Sequence, residues 1–159
     1  MEILSHSLAE TRQLGAHLGK LAKPGDVFLL FGELGAGKTC LTQGIALGLG
    51  IDSVVTSPSF VLVSEHIGRF PLYHIDLYRL EKLDEILELG LDDYFYGNGL
   101  SVVEWADRAL EALPFEYLKI DLWHVAATTR RLVLKPIGQC YEGMLNILKG
   151  QVSTFVGKA

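Results

Sequence analysis

The apolar run Val27-Phe28-Leu29-Leu30-Phe31 passes directly into Gly32-Glu33-Leu34-Gly35-Ala36-Gly37-Lys38-Thr39, and then into a helical stretch from Lys38 to Leu49 closed by Gly50. No other feature constrains the fold as much. An unbroken apolar run predicts a strand buried on both faces, which requires covering layers on each side of its sheet. The eight residues after it satisfy GxxxxGK[ST] completely, between a strand and a helix. Gly35 and Gly37 allow backbone conformations that bulkier residues resist, so successive N–H groups converge on phosphate oxygens. A helix starting near Lys38 aims its partial positive charge at the same place. Lys38 adds a mobile cation for the terminal phosphates, and the Thr39 hydroxyl suits magnesium. Gly32 to Thr39, together with Cys40, are therefore the candidate nucleotide-contacting residues. Glu33 and Leu34 fill variable positions of the pattern and are assigned no side-chain chemistry.

The rest of the chain gives this strand its neighbours. Leu8, Leu14, Leu18 and Leu21 recur at helical spacing over Ser7–Ala22, and Pro24-Gly25 closes that helix. Residues 61–67 and 70–77 are expected to form a hairpin about Gly68-Arg69. Leu83, Ile86, Leu87 and Leu91 give one apolar face to an acidic helix, and Leu100 to Val103 is another buried-type strand. Tyr117–Val125 and Arg131–Ile137 make a second hairpin, and a last helix runs from Tyr141 to Lys149. The expectation is an α/β, P-loop NTPase fold: a mixed sheet with a parallel core, added antiparallel hairpins and helices on both faces. Its 159 residues fit one domain, 1–159, with 137–159 as a candidate lineage-specific extension.

A nucleotide-hydrolysing site of this type needs a carboxylate near magnesium and a group to position water. Two strands end in acids: Leu100-Ser101-Val102-Val103-Glu104 and Leu72-Tyr73-His74-Ile75-Asp76. Both acids lie at the carboxyl ends of strands, where open α/β sheets keep their sites. Pattern alone leaves open which of them holds the metal. The hydroxyl-rich turn Thr56-Ser57-Pro58-Ser59-Phe60 suits a segment that senses the terminal phosphate. His6, His17, His66, His74 and His124 show no metal-ligand spacing and are assigned to packing or surface.

Composition excludes several classes. A formal net charge of −5 argues against extensive unaided RNA binding, although residues 130–159 set five basic side chains against Glu142 alone. No signal peptide is visible and no apolar stretch reaches the length of a membrane span. Cys40 and Cys140 lack paired spacing and suit two buried thiols in a reducing, cytoplasmic compartment. A GTPase would carry an Asn-Lys-x-Asp segment, which is absent. A small-molecule kinase, the alternative activity, would usually carry an arginine lid, and Arg79 and Arg108 form no such pair.

Taken in order, GELGAGKT, TSPSF, YHIDLYRL, LGLDDYF and VVEWADR resemble the TsaE (YjeE) family over roughly residues 5–125. This is the ATPase component of bacterial tRNA threonylcarbamoyladenosine synthesis. The HxDxYR and VEW segments carry more of the resemblance than the widespread glycine loop does. It implies that ATP sits on Gly35 to Thr39, that Thr39 and Glu104 hold magnesium, and that Asp76 lies close enough to help with water or metal, Lys38 and Asp76 being the catalytic pair. It also implies a switch-like loop at Thr56 to Phe60, including Ser57, and a Trp105 bordering the nucleotide. The implied partner is a TsaB–TsaD complex, reset by slow ATP hydrolysis, with tRNA contacted only indirectly. Ser59 stands where the family usually has Thr, and the hydroxyl survives. Nothing after about Pro136 matches the pattern.

Overall fold

The computed structural model describes residues 1–53, 55–56 and 62–152. In chain order the elements are β1 (Glu2–Ser5), α1 (Leu8–Leu21), β2 (Val27–Phe31), α2 (Lys38–Gly48), β3 (Val63–Ile67), β4 (Pro71–Asp76), α3 (Leu83–Glu88), α4 (Leu91–Phe95), β5 (Leu100–Glu104), a 3-10 helix (Ala106–Ala112), β6 (Tyr117–His124), β7 (Arg130–Ile137) and α5 (Glu142–Val152). The strands form one seven-stranded sheet in the order β1-β7-β6-β2-β5-β4-β3. β6, β2, β5 and β4 run parallel, and antiparallel β7-β1 and β3 complete the two edges.

The two-residue period of the strands divides the core between the two faces. Phe28 and Leu30 of β2, Leu72 of β4, and Leu100 and Val102 of β5 join the cluster beneath α1, α2 and α5. Val27, Leu29, Ile75 and Val103 join the opposite cluster beneath α3, α4 and the 3-10 helix. Phe28, Leu29 and Leu30 are wholly buried, and each such side chain stabilises the fold by roughly 1.5–3 kcal/mol. The mixed sheet with a parallel core and covering helices is the architecture expected.

Local chemistry sets the element ends. Ser7 caps α1 by accepting the Glu10 N–H at 3.1 Å, while Glu10 accepts the His6 N–H at 2.6 Å, a reciprocal arrangement close to a capping box. The acidic helix is not the continuous one that its spacing predicts. Gly90, in the left-handed region at φ 64°, divides it into α3 and α4. Ile86 and Leu91 are buried, whereas Leu83 and Leu87 are exposed rather than facing the core. β1 was not foreseen; it pairs with β7 through Glu2–Ser5. The cysteines also differ from expectation: Cys40 is only half-buried and Cys140 is exposed, both free.

Candidate functional site

The register of the parallel core places the candidate acids together. Asp76 ends β4 and Glu104 ends β5 directly opposite it, and Leu30, next to last in β2, lies opposite Glu104. All three fall on the sheet face that α2 covers. Asp76 and Glu104 are 4% and 2% exposed, values that ordinary surface acids do not show. The Thr39 hydroxyl, in the first turn of α2, donates to Glu104 Oε1 at 3.0 Å. Asp76 Oδ1 accepts the Tyr78 N–H at 2.9 Å.

His74 was assigned to packing, and it is wholly buried. It lies two residues before Asp76 on the same face, however, and its Nε2 meets Glu104 Oε2. Glu104 is thus gripped from both sides, by a hydroxyl of α2 and an imidazole of β4. The period of β4 puts His74 beside Asp76, but only the pairing of β4 with β5 brings it to Glu104.

The glycine loop turns back over this edge. Gly35 and Gly37 have φ of 83° and 106°, a region costly for residues with a Cβ. Gly37 opens α2 with no side-chain cap and no acid in the first turn, so the first N–H groups of the helix are available to an anion. Lys38 is 5% exposed, and its Nζ donates to the carbonyls of Gly32 at 2.5 Å and Glu33 at 2.9 Å. It also lies 3.9 Å from the centroid of the Trp105 ring, within cation–π range. Burial pulls the Lys38 pKa down, while Glu104, Asp76, Asp107 and Glu33 pull it back up. Trp105 itself has φ 59°, left-handed backbone held in place by a ring packed on Tyr78 at 4.8 Å.

Gly35, Gly37, Lys38, Thr39, Cys40, Asp76, Glu104 and Trp105 line one cleft of about 430 Å³. Gly32, Glu33 and Ala36 border an adjoining cleft on the other side of Trp105, and Leu34 and Trp105 border both. Leu8, Tyr78, Arg79 and Arg130, none assigned to the site from sequence, complete the Lys38 cleft. Arg130 is the instructive omission. It opens β7, and its guanidinium donates to the Ala126 carbonyl at 2.9 Å, yet its only mark in the sequence was membership of a basic terminal stretch. Thr56 is exposed, and Ser57 to Phe60 lie outside the described residues.

The profile described as threonylcarbamoyl adenosine biosynthesis protein TsaE matches residues 5–132. The chain belongs to the TsaE family. It is 46% identical to the Bacillus subtilis tRNA threonylcarbamoyladenosine biosynthesis protein TsaE over 84% of each chain. It is 40% identical to the Treponema pallidum protein of that name, covering 84% of this chain and 99% of the relative. A crystal structure of Bacillus subtilis YdiB superposes with a TM-score of 0.84 at 37% identity, over 95% of both chains. The architecture is accordingly that of a P-loop NTPase, and the TsaE family is one of tRNA threonylcarbamoyladenosine biosynthesis.

Proposed function

We propose that this chain binds ATP with magnesium and hydrolyses it slowly, in the service of tRNA threonylcarbamoyladenosine modification by a TsaB–TsaD complex in the cytoplasm. The observation that carries the reading is the meeting of Thr39, Glu104 and Asp76 beside the uncapped start of α2 and the Lys38 ammonium. Polyphosphate recognition needs that combination of backbone donors, one mobile cation and hard oxygen ligands. Among the described residues no group of three or more His, Cys, Asp or Glu could cage a metal alone. The donor set fits magnesium, which is usually held by one or two carboxylates together with substrate phosphates. Thr39 and Glu104 would hold it, and it would neutralise charge on the phosphate oxygens.

The protein's own groups then have distinct duties. Gly35, Gly37 and the first N–H groups of α2 seat the phosphates, and Lys38 supplies their counter-charge. Asp76, fixed by the Tyr78 N–H, orients the attacking water. His74 holds the Glu104 carboxylate toward Thr39. Among the described residues no helix is long and apolar enough to cross a membrane. The deciding experiment measures ATP hydrolysis by the chain alone and with purified TsaB and TsaD. Strong stimulation by the pair is expected; phosphoryl transfer to a small metabolite, the kinase outcome, overturns the reading.

A further inference from the structure

A carboxylate can meet a cation with one oxygen or with both, and the choice bears on which cation fits. The narrow bite of two oxygens from one carboxylate strains the small, near-octahedral shell of magnesium. The larger and more flexible calcium shell, of roughly six to eight oxygens, accepts it readily.

The structure commits the two oxygens of Glu104 separately. Oε1 accepts the Thr39 hydroxyl at 3.0 Å, and Oε2 meets His74 Nε2. Both side chains are buried, His74 wholly so. His74 Nδ1 finds no hydrogen-bond partner among the described residues. A proton on Nδ1 would be a buried donor without an acceptor, so the ring proton belongs on Nε2, where the carboxylate accepts it. Turning Oε2 toward a cation would strand that same N–H. The ring is not free to follow, because β4 is an interior strand: His74 is registered with Ser64 of β3 on one side and Val102 of β5 on the other. Among the described residues no cluster of three or more His, Cys, Asp or Glu could make up a larger shell.

We propose that His74 sets the cation preference of this site: by holding Oε2 it leaves Glu104 a single oxygen for the metal, which favours magnesium over calcium. The inference rests on the magnesium-ATP reading above and adds a positioning residue to it. His74 acts through Glu104, as the hydrogen-bond partners of metal ligands do elsewhere, where their removal typically costs about 10–100-fold in metal affinity.

The test measures ATP affinity of the full chain by calorimetry in EDTA, in magnesium and in calcium, for wild type, His74→Leu and His74→Gln, with thermal melts of each. The gain in affinity over EDTA reports the metal. In wild type the gain with magnesium should exceed that with calcium about tenfold or more. His74→Leu frees Oε2, so its magnesium gain should fall about tenfold or more while the calcium gain holds or rises, and the preference collapses. His74→Gln, whose amide nitrogen can reach Oε2 as Nε2 does, should keep the preference. A merely structural His74 would instead lower all three affinities together with the preference intact, and that result overturns the proposal. Should His74→Leu not fold, equal gains in wild type, or a preference lost in a folded His74→Gln, overturn it as well. If magnesium strengthens ATP binding but calcium does so equally, only this proposal falls and the functional reading stands. If neither cation changes the ATP affinity of wild type, the magnesium reading fails and takes the proposal with it.

Discussion

Lys38 shows how a single side chain is poised by its surroundings. Two carbonyls and the Trp105 ring hold its ammonium beside the start of α2, so little rearrangement separates these partners from a phosphate. Lys38→Ala should lose charge-assisted bonds worth about 1.5–3 kcal/mol each in ATP binding and should abolish hydrolysis. Titration with a fluorescent ATP analogue checks this, and unchanged affinity and turnover would remove the site assignment. The two acids should separate by duty. Glu104 already bonds Thr39, so Glu104→Gln should weaken magnesium-dependent ATP binding and spare the magnesium-independent component. Asp76→Asn should instead cost turnover, on the order of 10²-fold, with little change in affinity. ATP titrations with and without magnesium, followed by partner-stimulated hydrolysis, distinguish the two; the opposite pattern means the roles are exchanged. Both acids were legible because each ends a strand that the sequence marks. His74 was not, because the chain does not announce that β4 lies against β5.

At the scale of elements, α2 is placed by its contact with α1 rather than by its own sequence. Gly15 and Gly19 of α1 face Gly44 and Gly48 of α2 so closely that a Cβ on Gly44 would stand 2.2 Å from the Arg12 carbonyl oxygen, and one on Gly19 2.2 Å from that of Ile45. The neighbours are helix backbone, which cannot turn aside. Gly44→Ala therefore gains up to about 1 kcal/mol of helix propensity but suffers overpacking of about 1–3 kcal/mol, and it pushes α2, with Thr39 in its first turn, away from α1. The expected outcome is a lower melting temperature together with weaker ATP binding. Gly143→Ala in α5, where nothing lies within 4 Å, should instead stabilise by roughly 0.4–1 kcal/mol. Thermal melts of the pair read the sign directly, and stabilisation by both would mean that the helices are not so tightly joined. The helices themselves were legible from leucine spacing, and β2 from its unbroken apolar run. The division of α3 from α4 was not, since Leu83, Ile86, Leu87 and Leu91 keep helical spacing across Gly90.

At the scale of the whole molecule, sheet order is the property least available from sequence, because it depends on pairings between distant segments. β1 at the start of the chain pairs with β7 near its end, and β6 inserts beside β2. The same closure reaches past Pro136, where family-like sequence had run out. Leu145, Leu148 and Val152 of α5 are buried in the cluster that also holds Leu14 and Leu18 of α1. Tyr141, 3% exposed, packs edge-on against Phe28 at 6.4 Å, and its hydroxyl accepts the Val27 N–H at 2.8 Å. Burial raises the pKa of that hydroxyl, so it stays protonated across the neutral range. The first residue of β2 thus depends on a side chain more than a hundred residues away. Tyr141→Phe keeps the ring and leaves the buried Val27 N–H without its acceptor, which should cost about 1–3 kcal/mol. In urea unfolding the midpoint should fall while the slope holds, since the surface exposed on unfolding barely changes. ATP affinity should not move, because Tyr141 sits at the amino end of β2 and the nucleotide cleft at the other. Tyr141→Ala, which also empties the ring site, should cost about 3–5 kcal/mol. Were the segment from residue 137 onward a detachable appendage, both variants would unfold at the wild-type midpoint, and a midpoint unmoved by Tyr141→Ala would establish that it is.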